Sequence, residues 1–302
     1  MRIAAVVIAL TLAGGQATAP RFSSGVDVVS VDALVTQGGR ALSGLGAGDF
    51  ELRDNGVVQE IDSVAVDDIP VSMMLALDTS TSVEGSTLSH LKRAAATAVD
   101  SLTEQDRAAI LTFANAVTVH AGWGQPSAAM REAIAAAPAG GTTSLYDAAY
   151  AALTLEDERP GRRSLVLLFS DGGDTSSWLP ARAVIERARR SDAVVYVVTR
   201  RPPGRDVRLE YRSGIDLWSV DANRPPETPT LLEVANLTGG HIFVAARVEE
   251  LSALFSTIVT QFRSRYLLTY RPRGVATSGW HTIDLRVRNP KASVVARRGY
   301  TK

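Results

Sequence analysis

Four short runs along the chain are apolar almost throughout: "VSMMLAL" (71–77), "AAILTF" (108–113), "SLVLLF" (164–169) and "AVVYVV" (193–198). A strand with one wet face alternates apolar and polar residues. Runs that do not alternate fit strands covered on both faces, as in a parallel sheet. Between these runs the apolar period lengthens to three and four residues. Leu88, Leu91, Ala95, Val99 and Leu102 share one helical stripe, and 145–155, 181–188 and 231–237 are shorter helical candidates. A last stripe joins Val248, Leu251, Leu254, Phe255, Ile258, Val259 and Phe262 over 248–263. Alternating strand and helix predicts an α/β fold, a doubly wound, mostly parallel sheet with helices on both faces.

Both ends of the chain keep a different rhythm. "VDVVSVDALVTQ" (26–37) and "DFELRDNGVVQEI" (49–61) alternate as strands do, with Gly38-Gly39 and Asn55-Gly56 as turn signals. "RYLLTYRP", "WHTIDLRVR" and "SVVARRGY" follow the last helix and read as three more strands. The pattern predicts an N-terminal β-rich flank at 20–69, an α/β unit at 70–264 that starts at Pro70, and C-terminal strands at 265–302 that pack with the flank. The polar, proline-rich stretch 200–229 is long for a connection in a compact domain and reads as a surface insertion.

Residues 1–19 have the order of an export signal: Arg2, an apolar run at 3–13, then small residues to Ala17 and Ala19, with cleavage after either. A retained single-pass anchor is the alternative, although the run is short for a bilayer span. No other stretch approaches spanning length, so the mature chain is expected to be secreted or periplasmic, with no membrane span.

Composition removes several kinds of chemistry. Thirty-two basic residues balance thirty-two acidic ones, which leaves no electrostatic footprint for nucleic acid. There is no cysteine, so disulfides, thiolate zinc sites and cysteine nucleophiles are excluded. His90, His120, His241 and His281 lack ligand-like spacing and are expected to be exposed or singly hydrogen-bonded.

Side-chain oxygen remains. The first apolar run ends in "LALDTSTSVEG", where Asp78, Thr79, Ser80, Thr81 and Ser82 offer more oxygens than a helix cap needs. "GGTTSLYDA" (140–148) opens the helix near Leu145, and "FSDGGDTSS" (169–177) follows the third run and supplies Asp171. A parallel sheet places all three loops at its carboxyl edge, where doubly wound folds bind ligands. Gly172 and Gly173 fit a tight turn there, while Asp147 and Asp174 read as helix and turn residues. Two carboxylates with several hydroxyls suit a hard divalent cation, magnesium foremost.

"DTSTS" matches the Asp-x-Ser-x-Ser motif of von Willebrand factor type A domains, and the matching threonine and aspartate follow in order. From about Pro70 to Phe262 the chain resembles that family, and its three loops resemble the metal-ion-dependent adhesion site. The resemblance implies that Asp78, Ser80 and Ser82, with Thr143 and Asp171, are metal ligands. Thr143 is preferred to Thr142 because the family's element reads threonine, any residue, then "LYDA". It further implies Mg2+, with Mn2+ or Ca2+ as alternatives, a protein ligand that presents Glu or Asp, and a binding module that is not an enzyme. Signal, β-rich flank, core and C-terminal strands together resemble exported bacterial proteins of acidobacterial type related to von Willebrand factor.

Two other classes stand beside this one. A magnesium-dependent phosphatase or phosphotransferase would use Asp78 as nucleophile. Haloacid dehalogenase-like enzymes, however, carry a second aspartate where this chain has Ser80. They also need a core lysine, and none of Lys92, Lys291 and Lys302 suits. The third class is a scaffold that keeps the fold and holds no ion. A serine nucleophile elbow is ruled out, because the Gly-x-Ser-x-Gly frame is missing.

Overall fold

The computed structural model describes residues 28–66, 69–156, 161–171, 173–200 and 229–302. The 1–19 segment, the 200–229 stretch apart from its two end residues, and Gly172 lie outside the described residues. The first five strands are β1 (Val29–Gln37), β2 (Arg40–Ala41), β3 (Phe50–Asp54), β4 (Val57–Gln59) and β5 (Ile61–Ala65). The α/β unit follows as β6 (Val71–Asp78), α1 (Ser86–Asp100), β7 (Arg107–Phe113), β8 (Val117–Ala121), α2 (Ser127–Ala136), α3 (Leu145–Thr154), β9 (Arg163–Phe169), α4 (Ala181–Arg189), β10 (Val194–Arg200), α5 (Pro229–Thr238), β11 (Ile242–Ala245) and α6 (Leu251–Arg263). The chain returns through β12 (Tyr266–Tyr270), β13 (Trp280–Val287), β14 (Ala292–Ala296) and β15 (Gly299–Thr301).

Six strands form the central sheet in the order β11-β10-β9-β6-β7-β8, parallel except for the antiparallel edge strand β8. Every residue of β6 is buried, and the two faces of the strand go to different cores. Met73, Leu75 and Leu77 pack with α1, α2 and α6; Met74 and Ala76 pack with α3, α4 and α5. This accounts for the unbroken apolar run, since both alternating sets meet hydrocarbon. The strand order reverses between β6 and β9, so the crevice at their carboxyl ends is the topological switch point of the sheet.

The flank is a sandwich. One sheet runs β14-β1-β12-β5 with β2 beside β1, and the other runs β15-β13-β3-β4. Strands from both ends of the chain pair directly, β1 with β12 and β14, and β3 with β13. Val31, Ala33, Phe50, Leu52, Tyr266 and Leu268 fill the space between the sheets at every second position.

Two histidines depart from the expectation of exposed or singly bonded imidazoles. His281 is fully buried at an inward position of β13. Its Nδ1 lies 2.8 Å from Asp54 Oδ1 and 3.2 Å from the Tyr300 hydroxyl. Asp54 Oδ2 also accepts the hydroxyls of Tyr270 and Tyr300 at 2.8 and 2.9 Å, so a closed polar cluster sits inside an apolar sandwich. His241 is half-buried, stacked on Tyr196 just before β11.

Buried arginines join the flank to the amino edge of the central sheet. Arg265, with no exposed surface, binds the Asp32 carboxylate in β1, the Tyr196 hydroxyl at 3.0 Å and the Gly239 carbonyl at 2.9 Å. Arg163, at the start of β9, donates to the carbonyls of Val66 at 3.0 Å and Arg263 at 3.2 Å. Arg297 reaches Asp192 and the Ser191 carbonyl before β10. Among the described residues no helix is long and apolar enough to cross a membrane.

Candidate metal centre

Asp78 is the last residue of β6, so the most buried strand of the sheet ends in a carboxylate at the switch point. Its Oδ1 accepts the Ser80 N–H at 2.9 Å and its Oδ2 accepts the Ser170 hydroxyl at 2.6 Å. Ser80 Oγ lies 3.1 Å from Ser82 Oγ, and the Ser82 hydroxyl donates to Asp171 Oδ1 at 2.7 Å. Arg200, at the end of β10, places Nη2 3.2 Å from Asp171 Oδ2. One hydrogen-bonded run therefore leads from Asp78 through Ser80 and Ser82 to Asp171. Its inner end is closed, Asp78 being 0% exposed, and it opens to the surface at Ser82. Burial pushes the Asp78 carboxyl above its ordinary range and the charge of Asp171 adds to this, against the hydrogen bonds from Ser170 and Ser80.

The second loop is strapped to the first by main-chain bonds. Gly140 N–H donates to the Thr79 carbonyl at 2.8 Å, Thr81 N–H to the Gly141 carbonyl at 3.0 Å, and Gly141 N–H to Thr81 Oγ1 at 3.0 Å. Glycine is required at Gly141, where φ is +92° and an added Cβ would lie 2.5 Å from Asn115 Oδ1. That oxygen accepts both the N–H and the hydroxyl of Thr142, each at 2.7 Å. Thr143 is buried, and its carbonyl accepts the N–H groups of Thr175 at 2.9 Å and Ser176 at 3.2 Å, which ties the third loop to the second. Asp147 accepts the N–H groups of Trp178 at 3.0 Å and Leu179 at 2.9 Å, and Asp174 accepts from Ser177 and Tyr146.

Of the five residues read as ligands, Asp78, Ser80, Ser82 and Asp171 thus share one hydrogen-bonded run, and Thr143 reaches the same edge through its loop's main chain. Ser170, Asn115, Thr175 and Arg200 belong to the assembly and are missing from the sequence reading. Ser170 had a signal, as the strand-end neighbour of Asp171, and so had Arg200, which ends a strand of the same parallel sheet. Among the described residues no three His, Cys, Asp or Glu side chains gather as a metal cluster. The donor set here is two carboxylates and hydroxyls, an all-oxygen set that suits hard divalent cations and offers nothing to a metal that requires thiolate or imidazole.

Sheet order and loops together define an open α/β domain with an oxygen-lined crevice at its switch point. The family model for the von Willebrand factor type A domain matches residues 72–256, more than half of the chain, and the chain belongs to that family. Among solved structures, a von Willebrand factor type A protein from Catenulispora acidiphila superposes with a TM-score of 0.52 at 14% identity, covering 93% of this chain and 74% of that one. Proximal thread matrix protein 1 from the mussel byssus, with a zinc-occupied MIDAS motif, gives a TM-score of 0.51 at 16% identity over 69% of this chain and 49% of its own. The chain spans about half the length of that mussel protein. BatB from Bacteroides thetaiotaomicron is 16% identical, with a TM-score of 0.47, over 64% of this chain and 98% of its own. No curated protein matches the chain in sequence.

Proposed function

We propose that this chain is an exported, non-enzymatic binding module whose Asp78, Ser80, Ser82, Thr143 and Asp171 hold a divalent cation, Mg2+ foremost, and through it capture an acidic side chain of a protein partner. The observation that carries this reading is the run from Asp78 to Asp171, closed inside and open at Ser82. When bound, a divalent cation supplies a Lewis-acidic position that a carboxylate fills. The residues of the chain orient the donors, bury the inner carboxylate and set the rim. The mussel protein with a zinc-occupied MIDAS motif supports a metal at this place in the fold.

The rim favours a macromolecular ligand. Trp178 is 93% exposed, on a loop pinned by Asp147 and by Thr143, and an exposed indole beside a binding edge suits a protein interface. A phosphotransfer role for Asp78 finds no lysine: Lys92 Nζ donates to the carbonyls of Ala135 and Ala137 at 2.8 and 2.7 Å, at the far end of α2.

Isothermal titration of the purified chain with Mg2+ tests the reading. Binding is expected in the wild type and is expected to weaken at least about tenfold in Asp171→Ala. The melting temperature should stay within about 3 °C, because the side chain adds little to the core. Global unfolding of that variant, or phosphatase turnover abolished by Asp78→Asn, would overturn it.

A further inference from the structure

Arg200 ends the strand next to β9, and its guanidinium contacts the carboxylate that closes the outer part of the site. The two partners differ in exposure: the Asp171 side chain is 4% accessible and that of Arg200 is 32% accessible. Asp171 therefore turns Oδ1 to Ser82 and Oδ2 to a fixed cation of the chain itself.

Among the described residues, the other acids near this edge make no hydrogen bond to the run from Asp78 to Asp171. Asp147 and Asp174 are committed to main-chain N–H groups and to Ser177. Glu84 is exposed beside Gly140, where water screens it. Among the described residues, the charged groups of the run are two carboxylates and one guanidinium, a net charge of minus one with both carboxyls ionised. A divalent ion held there leaves one positive charge uncompensated.

We propose that Arg200 sets the charge of this site, lowering its affinity for the cation and leaving a net positive centre that favours an anionic ligand. The proposal rests on the cation-site reading above and adds the residue that divides binding strength between metal and acidic partner. The guanidinium has two roles here. As a hydrogen-bond donor it orients Asp171, as partners of metal ligands generally do. As a charge it repels the metal and attracts the carboxylate of the partner.

Substitution separates the two roles. Arg200→Gln keeps an N–H donor and removes the charge; Arg200→Lys keeps the charge. Titrations of the full chain with Mn2+ alone, then of the Mn2+-loaded chain with a capped tripeptide carrying one glutamate, give two affinities per variant. Arg200→Gln should bind Mn2+ at least about tenfold more tightly and the peptide at least about tenfold more weakly, with Arg200→Lys close to wild type on both.

Unchanged or weaker Mn2+ binding in Arg200→Gln overturns the proposal and leaves the cation-site reading in place, because wild-type binding is measured in the same series. Mn2+ uptake by Arg200→Gln with none by wild type supports the proposal in its strongest form. No uptake at millimolar Mn2+ by either protein overturns both.

Discussion

The imidazole of His241 stacks on Tyr196 with ring centroids 6.0 Å apart, and its Nε2 is shut off from water with no hydrogen-bond partner among the described residues. Burial, and then the charge of Arg265, hold its pKa down to about 4. In the unfolded chain an imidazole titrates near 6.5, so between these values the unfolded state binds more protons. The contribution of His241 to stability is full above about pH 6.5, declines as pH falls toward 4 and is constant below. Urea unfolding from pH 7 to pH 4 should show this loss, roughly 1 kcal/mol per pH unit across the window, and His241→Gln should remove it. Asp78 and Glu156, whose carboxyls burial pushes up, act in the opposite direction, so only the comparison with the variant isolates the imidazole. An identical slope in the variant would assign the loss to other groups.

Among the elements, the turn from α5 into β11 is the most tightly constrained. Gly239 has φ of +74°, and Gly240 N–H returns to the Ala235 carbonyl at 2.7 Å to close the helix. A Cβ on Gly240 would lie 1.8 Å from the Val195 carbonyl oxygen of β10, an approach that only glycine permits. Gly240→Ala should therefore cost about 3 kcal/mol or more in chemical denaturation, by forcing β10 and β11 apart. A loss under about 1 kcal/mol would mean that the turn gives way.

The same elements show what the sequence disclosed and what it hid. The strands β6, β7, β9 and β10 announce themselves because both faces meet hydrocarbon. Edge strand β8 does not, since most of its residues are exposed or half-buried. In α2 only Met130 and Ile134 are buried, set among alanines, which leaves too short a stripe to read. Asp-x-Ser-x-Ser was legible because its oxygens crowd one strand end. Asn115 joins it only because the order β9-β6-β7 brings neighbouring strand ends together, and local spacing does not encode that order. Asp54 and His281 sit at inward positions of a period-two pattern, where polar residues signal a buried cluster once the sheets are stacked.

At the scale of the whole molecule, three arginines determine how flank and central sheet sit together. Arg265 has the largest side chain among the fully buried residues, and its charge is matched by Asp32 and hydrogen-bonded by Tyr196 and the Gly239 carbonyl. Removing one partner of such a pair strands the other charge in a dry place. Arg265→Met should destabilise the chain by about 3–5 kcal/mol and open the joint between β1 and β10 to limited proteolysis. A stable variant with unchanged cleavage would show that apolar packing alone holds the flank in place.

All three arginines act at the amino edge of the parallel strands, and Asp78 lies at the carboxyl edge. Val28 and Lys302 border one crevice beside Arg189 and Arg190, at that same amino edge. Coupled to a bead or sensor through the Lys302 side chain, the molecule would face its support with the sandwich and turn its oxygen-lined edge toward the medium. Its orientation is set by the wiring of the sheets, without help from the support.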